Sequence, residues 1–189
     1  MQRHPIHCWR LRRAVRILRQ GGIIAYPTES VFGLGCNPWD KDAVMRLLAI
    51  KRRKAGKGLI LISDQFERLR PFLAPLPEKV LRRVLATWPG PVTWVLPAAR
   101  GVPPWIRGNR DSVAVRVTAH PIAAALCRSA GVPLVSTSAN LSRRPPARNP
   151  LQVRIRCGKG IDLVIHGATG GLATPTSIRD AFSDKTLRS

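Results

Sequence analysis

The hydrophobic positions of the chain follow two periods, and the segments with each period alternate. Between Leu11 and Leu18, apolar residues recur at helical spacing among arginines, which predicts an amphipathic first helix that ends near Gly21. Short apolar runs predict buried strands instead. These runs are 23–26, 59–62, 92–96, 113–117 and 134–137, with two later candidates at 162–165 and 176–178.

Capping residues and chain breakers place the other helices. The glycines in 33–35 predict a turn after the first strand, and Asp40 is a suitable N-cap for a second helix that ends near Lys51. A third helical face covers 80–85, and Pro121 suits the first turn of a fourth helix. Strands interleaved with helices in this way predict a three-layer α/β protein with a mixed β-sheet that has some parallel pairing and flanking helices.

The length and composition favour one domain over residues 1–189. The proline-rich segments 71–77 and 143–150 are predicted to be loops within that domain. The second loop begins with Arg143 and Arg144 directly after a polar cluster, so it is suited to cover a site as a basic lid.

Charge and cysteine spacing limit the class of protein. The chain has 32 basic and 10 acidic residues, a formal net charge of +22, which favours polyanionic partners such as nucleotides or RNA. Because 25 of the basic residues are arginines scattered along the chain, a purely compositional origin is equally consistent with this charge. The four cysteines are widely spaced and predict reduced thiols, with no zinc site. No membrane span or secretory signal is evident, and we expect a cytoplasmic protein.

Polar and cationic segments follow several of the predicted strands. Thr28 stands where the first strand ends, between a proline and two glycines, a position typical of ligand-binding sites and also of plain polar turns. Residues 51–57 hold five cations, including Lys51, Arg53 and Lys57, which is enough to bind a triphosphate. In isolation, such a run would also suit a solvated basic turn at a helix end.

Two further features indicate a site. Residues 136–142 bring five polar side chains directly after a strand, among them Ser136, Ser138 and Asn140. A run of small polar residues is also consistent with a loop that only caps a helix. Arg116 lies within an otherwise apolar strand and needs a partner. Either a substrate carboxylate or an acid such as Asp111 or Asp180 would satisfy it.

Several kinds of chemistry lack their usual residues. The chain has no P-loop motif, no dinucleotide-binding glycine motif and no nucleophile elbow, and its histidines and carboxylates show neither metal spacing nor a catalytic pair. Phosphoryl or nucleotidyl transfer depends least on such groups, because positioning and cationic stabilisation supply most of its rate.

These segments together resemble the YrdC-like threonylcarbamoyl-AMP synthase family, in its short bacterial form, nearly from end to end. The matching motifs are Tyr26-Pro-Thr-Glu-Ser-Val-Phe-Gly-Leu-Gly35, Lys51-x-Arg53 with Lys57-Gly-Leu59, Trp88-Pro-Gly-Pro-Val-Thr93, Ser112-Val-Ala-Val-Arg-Val117 with His120-Pro121, Ser136-Thr-Ser-Ala-Asn-Leu-Ser142 and Ser177-Ile-Arg-Asp180. The resemblance implies a twisted mixed sheet with flanking helices and a concave basic face.

The resemblance also implies a reaction. Threonine and bicarbonate give N-carboxythreonine, whose carboxylate displaces pyrophosphate from the α-phosphorus of ATP. The resulting threonylcarbamoyl-AMP is passed to tRNA-modification proteins, which transfer the threonylcarbamoyl group to an adenosine beside the anticodon. A nucleophile that is already anionic needs little help from a general base, which agrees with the missing catalytic pair.

By motif, the resemblance assigns each site residue. L-threonine would be held by Thr28, Arg116, Ser136 and Thr176, with Arg116 on its carboxylate. ATP would face Lys51, Arg53, Lys57, Ser112, Ser138 and Asn140, with Lys51 and Arg53 as the catalytic cations, and Mg2+ would be held mainly by phosphate oxygens.

Three departures from the family pattern are Lys54, Arg143 and the Pro-Thr-Ser around Thr176, and the last weakens only the fourth threonine contact. The alternative function is a non-catalytic maturation factor that binds double-stranded RNA, tRNA or rRNA through the basic face. It rests on charge alone.

Overall fold

The computed structural model describes residues 7–142 and 144–188. Within them, nine strands form one mixed sheet, and the longer helices flank it. The helices are Cys8–Arg19 (α1), Lys41–Ile50 (α2), Glu78–Leu85 (α3), Pro104–Arg107 (α4), Pro121–Ala130 (α5) and Pro150–Cys157 (α6). The strands are Ile24–Pro27 (β1), Phe32–Gly35 (β2), Ile60–Ser63 (β3), Val92–Pro97 (β4), Ser112–Val117 (β5), Leu134–Ser138 (β6), Leu163–Val164 (β7), Ser177–Asp180 (β8) and Thr186–Arg188 (β9).

The strand order across the sheet is β7-β1-β2-β6-β3-β5-β4-β8-β9. Pairing is parallel for β1 with β7, β3 with β5 and β4 with β8, and antiparallel elsewhere in the order. The predicted mixed sheet with flanking helices is therefore confirmed. Strands far apart in sequence, such as β2 and β6, become neighbours at the centre of the sheet.

Side chains alternate between the two faces of the sheet along each strand, and the two faces differ in polarity. In β5, Val113, Val115 and Val117 point into the larger apolar core, where they join side chains from α2, α3 and the two 3-10 turns Phe66–Arg68 and Arg70–Phe72. Trp94 of β4 is fully buried in the same core. Burial of each such large side chain stabilises the fold by about 1.5–3 kcal/mol. Ser112 and Arg116 of the same strand β5 are left for the opposite face.

Helices α1 and α5 cover only part of that opposite face. Ala14 and Leu18 of α1 and Leu126 of α5 pack with Tyr26 of β1 and Ile62 of β3 in a second apolar cluster. The apolar face predicted for α1 is thus the face that it buries. The two helices cover the sheet only around these residues of β1 and β3. The part of the face that they leave uncovered forms a cavity.

The predicted turn over 33–35 is wrong, because Phe32–Gly35 forms strand β2. It pairs with β1 on one side and β6 on the other. Its two glycines, Gly33 and Gly35, stand where a side chain would be in tight contact with neighbouring atoms. A Cβ at Gly35 would lie 2.5 Å from the carbonyl oxygen of Val135. Strand β9 and helices α4 and α6 were not predicted either.

The cap assignment at Asp40 is confirmed, since its side chain accepts a hydrogen bond of 2.9 Å from the backbone N–H of Ala43. Lys51 follows α2 as its C-cap residue. All four cysteines are free, Cys8 on the surface and the other three in the interior. Among the described helices, none has the length and apolar character that crossing a membrane requires.

Candidate active site

A cavity of about 670 Å³ lies on the sheet face that α1 and α5 leave uncovered. Its floor is a row of side chains that the strand register aligns: Ile60 of β3 is paired with Ala114 of β5 on one side and Ser136 of β6 on the other. Because side chains two residues apart share a face, Arg116 and Ser138 also point to this side of the sheet. The row thus gathers residues from segments that are distant in sequence.

Thr28 enters the cavity from the tight connection between β1 and β2. Its backbone N–H and its Oγ1 both donate to the carbonyl oxygen of Val31, at 3.1 Å and 2.7 Å, which fixes the turn. A Cβ placed on Gly33 would lie 3.3 Å from both Ser136 Oγ and Thr28 Cγ2. The glycine therefore keeps a space open between the methyl group of Thr28 and the hydroxyl of Ser136.

Two loops meet backbone to backbone at the other end of the cavity. A Cβ on Gly108 would lie 2.5 Å from the carbonyl oxygen of Gly56, and Gly108 has a φ of 66° that favours glycine. The N–H of Asn109 donates to that same Gly56 oxygen at 3.2 Å. This close contact brings the arginines of 107–110 beside the basic segment 51–57.

Cations dominate the lining of the cavity. Six basic side chains line it: Arg53, Lys57, Arg107, Arg110, Arg116 and Arg188. Within the described lining residues there is no carboxylate. Burial, then Arg188 and Arg110, lower the pKa of Arg53. Burial and Arg116 do the same to the pKa of Arg188. Such mutual repulsion indicates that these groups are arranged for an anionic ligand.

Lys51 lies beneath the lining and does not face the cavity. Its side chain is buried, and Nζ donates to the carbonyl oxygens of Ser138 and Asn140 and to Asn140 Oδ1. Asn140 Oδ1 also accepts from Ser138 Oγ at 2.7 Å. Burial, and secondarily Arg53, lower the pKa of Lys51 to about 8. In this structure Lys51 anchors the end of β6, and through it Ser138.

Arg116 has a partner that differs from both acids suggested by the sequence. Its Nη2 lies 3.1 Å from Oε2 of Glu29, and both side chains are almost fully buried. Its Nη1 donates to Thr176 Oγ1 at 2.7 Å. Asp180 instead accepts from the N–H groups of its own turn, and Asp111 is fully exposed, 3.8 Å from Arg107. The ion pair with Asp111 or Asp180 was therefore wrong.

The structure places the predicted site residues in two groups. Eight of them line the same cavity: Thr28, Arg53, Lys57, Ser112, Arg116, Ser136, Ser138 and Thr176. The other two, Lys51 and Asn140, lie behind it.

Sequence reasoning missed Arg107, Arg110 and Arg188 in the cavity and Glu29 beside it. Only Glu29 had a signal, its place between Thr28 and Ser30 at a strand end.

Two loops meet at the cavity near the predicted lid. Pro146 of the 143–150 segment and Pro175 both line the cavity. Arg148 Nη2 donates to the carbonyl oxygen of Ala173 at 2.7 Å, which ties the two loops together. Arg143, the first cation of the predicted lid, lies outside the described residues.

Comparisons with known proteins point to one family. The family model Sua5_yciO_yrdC, described as telomere recombination, matches residues 16–189. The chain is 54% identical over 180 residues to the threonylcarbamoyl-AMP synthase of Nitrosococcus oceani, covering 95% of this chain and 97% of the relative. It is equally identical, 54% over 180 residues, to the enzyme of that name from Halorhodospira halophila, covering 95% of this chain and 94% of the relative.

Solved structures give the same picture. The structure of P. abyssi Sua5 complexed with L-threonine is 35% identical, with a TM-score of 0.86 over 91% of this chain and 51% of that one. The chain thus spans about half the length of Sua5. E. coli YciO is 30% identical, with a TM-score of 0.82 over 98% of this chain and 92% of that one.

Proposed function

The chain belongs to the Sua5/YciO/YrdC family, and on that basis we propose that its cavity makes threonylcarbamoyl-AMP and pyrophosphate from L-threonine, bicarbonate and ATP. The observation that carries the proposal is the composition of the cavity, which combines six cations with a cluster of hydroxyls. Cations suit a polyphosphate, and hydroxyls beside a buried arginine suit a small amino acid. The product supplies threonylcarbamoyladenosine formation beside the tRNA anticodon.

The phosphates of ATP bind at the end of the cavity that the two basic loops form. Arg53, Lys57, Arg107 and Arg110 supply cations there. Arg188 of β9 lies between this end and Arg116, because its charge lowers the pKa of Arg53 and the charge of Arg116 lowers its own pKa. Arginine forks and lysine ammonium groups are the usual phosphate ligands of proteins. Lys51 and Asn140 act from behind by holding Ser138 in place, a role supported by their shared hydrogen bonds.

L-threonine binds at the other end, where Thr28, Ser136 and Thr176 surround Arg116. Arg116 Nε is buried and has no hydrogen-bond partner among the described residues, so a donor remains for the amino-acid carboxylate. The space beside Gly33 is lined by the methyl group of Thr28 and the hydroxyl of Ser136, which suit the methyl group and the polar groups of threonine. The P. abyssi structure with L-threonine supports this choice of substrate.

The chemistry follows from the charges. Threonine nitrogen and bicarbonate form a carbamate with loss of water. A carbamate oxygen then forms a bond to the α-phosphorus of ATP while the bond from that phosphorus to the bridging oxygen of pyrophosphate breaks. The nucleophile carries its own charge, so no base has to remove a proton in this step. The cations of the cavity stabilise the charge that collects on the phosphoryl oxygens.

Mg2+ fits this site as part of the nucleotide. Within residues 7–142 and 144–188, no three His, Cys, Asp or Glu side chains are grouped to hold a metal ion. The hydroxyls of Ser112 and Ser138 are neutral oxygen ligands in the lining. We therefore assign Mg2+ mainly to the phosphate oxygens of ATP, where it neutralises charge on the leaving pyrophosphate.

One incubation tests the function. The protein is mixed with ATP, L-threonine and labelled bicarbonate, and a labelled adenylate is expected together with pyrophosphate that requires all three substrates. Thr28→Val should raise the KM for threonine about tenfold, because it removes the hydroxyl whose hydrogen bond to the Val31 carbonyl oxygen holds this turn of the lining in place. Thr174→Val, at an exposed position outside the lining, serves as the matched control and should leave the KM for threonine unchanged.

The alternative, an RNA-binding factor, predicts a different result. No labelled adenylate would form, and RNA binding would weaken steeply with salt whether or not threonine is present. Threonine-dependent pyrophosphate release therefore separates the two functions. The adenylate is a reactive mixed anhydride, so we expect the enzyme to pass it to the tRNA-modification proteins that accept it.

A further inference from the structure

Glu29 is a buried carboxylate that does not line the cavity, although it lies directly behind a residue that does. Its Oε1 accepts from Thr118 Oγ1 at 2.7 Å and from the backbone N–H of Ala119 at 3.2 Å. Its Oε2 lies 3.1 Å from Nη2 of Arg116. The carboxylate is thus held by the end of β5 and presented to the guanidinium from outside the cavity.

Two other ionisable groups lie near the pair among the described residues. One is Arg188, whose Nη2 donates to the carbonyl oxygen of Thr176 at 3.3 Å and whose pKa is lowered by burial and by Arg116. The other, His120, is close to both Glu29 and Arg116, but burial lowers the pKa of its imidazole, so the ring is neutral at neutral pH. Its Nε2 lies 3.1 Å from the carbonyl oxygen of Ala168. Arg116 and Glu29 therefore form a pair whose charges largely cancel.

Arg116 differs in this respect from the other cations of the cavity. Among the six lining cations, it has a buried carboxylate partner in the described part of the chain, whereas Arg107 has only the fully exposed Asp111 at 3.8 Å. No carboxylate lies within salt-bridge distance of Arg53, Lys57, Arg110 or Arg188 among the described residues. The positive charge of the cavity is therefore uneven.

We propose that Glu29 is a specificity-determining and positioning residue, which neutralises Arg116 so that this end of the cavity accepts zwitterionic threonine and excludes phosphate groups. The inference rests on the proposed function for the identity of the amino acid. Coulomb attraction to a polyanion depends on net charge, whereas a carboxylate can still be recognised by the directed N–H groups of a paired guanidinium. Glu29 thus separates two anion sites that would otherwise compete.

The separation matters because the carboxylate of threonine and the phosphates of ATP are all anionic groups and share one cavity. ATP and pyrophosphate carry several negative charges, and an unpaired Arg116 near Arg188 would offer them a second binding position. A phosphate group there would occupy the threonine end. Thr176 accepts a hydrogen bond from Nη1 of Arg116 and Glu29 forms an ion pair at Nη2, so both contacts leave Nε–H without a partner among the described residues.

Calorimetric titration with inorganic pyrophosphate tests the proposal without turnover. The wild-type protein should bind one pyrophosphate, and Glu29→Gln, which keeps the size and loses the charge, should bind a second. Adding Arg116→Gln to that variant should restore a single site, since the extra site needs the unpaired arginine. Glu29→Asp keeps the charge and should retain one site. A single site in the folded Glu29→Gln protein would overturn the proposal.

Inhibition kinetics give a second readout, which a purely structural role would not change. In the wild type, pyrophosphate should compete with ATP and not with threonine. In Glu29→Gln it should compete with threonine as well, and the threonine KM should rise about tenfold while the ATP KM changes little. Competition with threonine already in the wild type would refute the inference even if no variant folds. If the titrations give the predicted numbers of sites but no adenylate forms, the proposed function is contradicted and the charge-neutralising role of Glu29 is not.

Discussion

The Lys51→Met variant tests whether Lys51 serves the site from behind the cavity. The change keeps an unbranched side chain and removes the ammonium group. Three acceptors then lose their donor: the carbonyl oxygens of Ser138 and Asn140 and the side-chain Oδ1 of Asn140. Each lost bond to a partly buried acceptor costs about 1–2 kcal/mol. Relief from burying an ammonium group offsets part of the loss.

We expect a net decrease of about 2–4 kcal/mol in the free energy of unfolding. For a chain of this size, 1 kcal/mol shifts the melting temperature by about 2–4 °C, so the variant should melt roughly 5–15 °C lower. Because Ser138 loses its anchor, the KM for ATP should rise about tenfold, with the KM for threonine changed by less than about twofold. Thermal melts followed by circular dichroism and a pyrophosphate-release assay measure these quantities.

The lowered pKa of Lys51 adds a pH signature. Between the folded value of about 8 and the ordinary 10.5, the unfolded chain holds a proton that the folded protein has released. The free energy of unfolding therefore contains a contribution from Lys51 that rises with pH across this window and is flat below it. The difference in unfolding free energy between wild type and Lys51→Met should grow from pH 8 to 10.

The Lys54→Met variant is the control for the anchoring role of Lys51. Lys54→Met removes a charge from the same basic segment at an exposed position outside the lining, and it should melt like the wild type. If Lys51→Met melts normally and yet releases no pyrophosphate, the anchoring role is refuted. Lys51 would then act on the phosphates directly, as the family resemblance implies.

Two further substitutions separate the ends of the cavity. Gly33→Ala places a methyl group 3.3 Å from Ser136 Oγ and Thr28 Cγ2, so the threonine KM should rise at least about fivefold with the ATP KM unchanged, and equal changes in both would contradict the assignment. Arg188→Gln should raise the ATP KM about tenfold, because it removes a cation from the lining. Arg179→Gln is the control, since Arg179 lies in the same hairpin but is stacked over Trp94 and outside the lining, and it should leave the ATP KM unchanged. An equal rise of the ATP KM in the two variants would refute a phosphate contact by Arg188.

The central strands could be predicted from the sequence because each is an apolar run with clear boundaries. Ile24–Pro27, Ile60–Ser63 and Leu134–Ser138 all lie within a residue of the predicted limits. Phe32–Gly35 was missed because two of its four residues are glycines, which locally favour turns. Its strand state comes from pairing with β1 and β6 on both sides, and such tertiary pairing is not encoded in local propensity.

The site was predicted where motifs carried it and missed where packing alone decided. Thr28, Arg53 and Ser136 follow strands or basic runs and could be found from local pattern. Arg188 is one of 25 arginines, and nothing near it in sequence distinguishes it. The pairing of Glu29 with Arg116 joins residues far apart in the chain, so the position of an arginine in an apolar strand could predict that a partner exists but not which one.

The distribution of carboxylates explains how this cavity can bring two anions together. A carbamate attacking ATP places negative charge beside negative charge, so any unpaired carboxylate in the lining would raise the barrier. Acids are scarce in this chain, with 10 against 32 basic residues, and Glu29, which lies directly behind the lining, is paired with Arg116. Among the described residues, the cations at the phosphate end have no carboxylate partner except the fully exposed Asp111, 3.8 Å from Arg107, so they are available to ATP. Six of the 32 basic residues of the chain line this cavity, and they supply the cations that the proposed reaction requires.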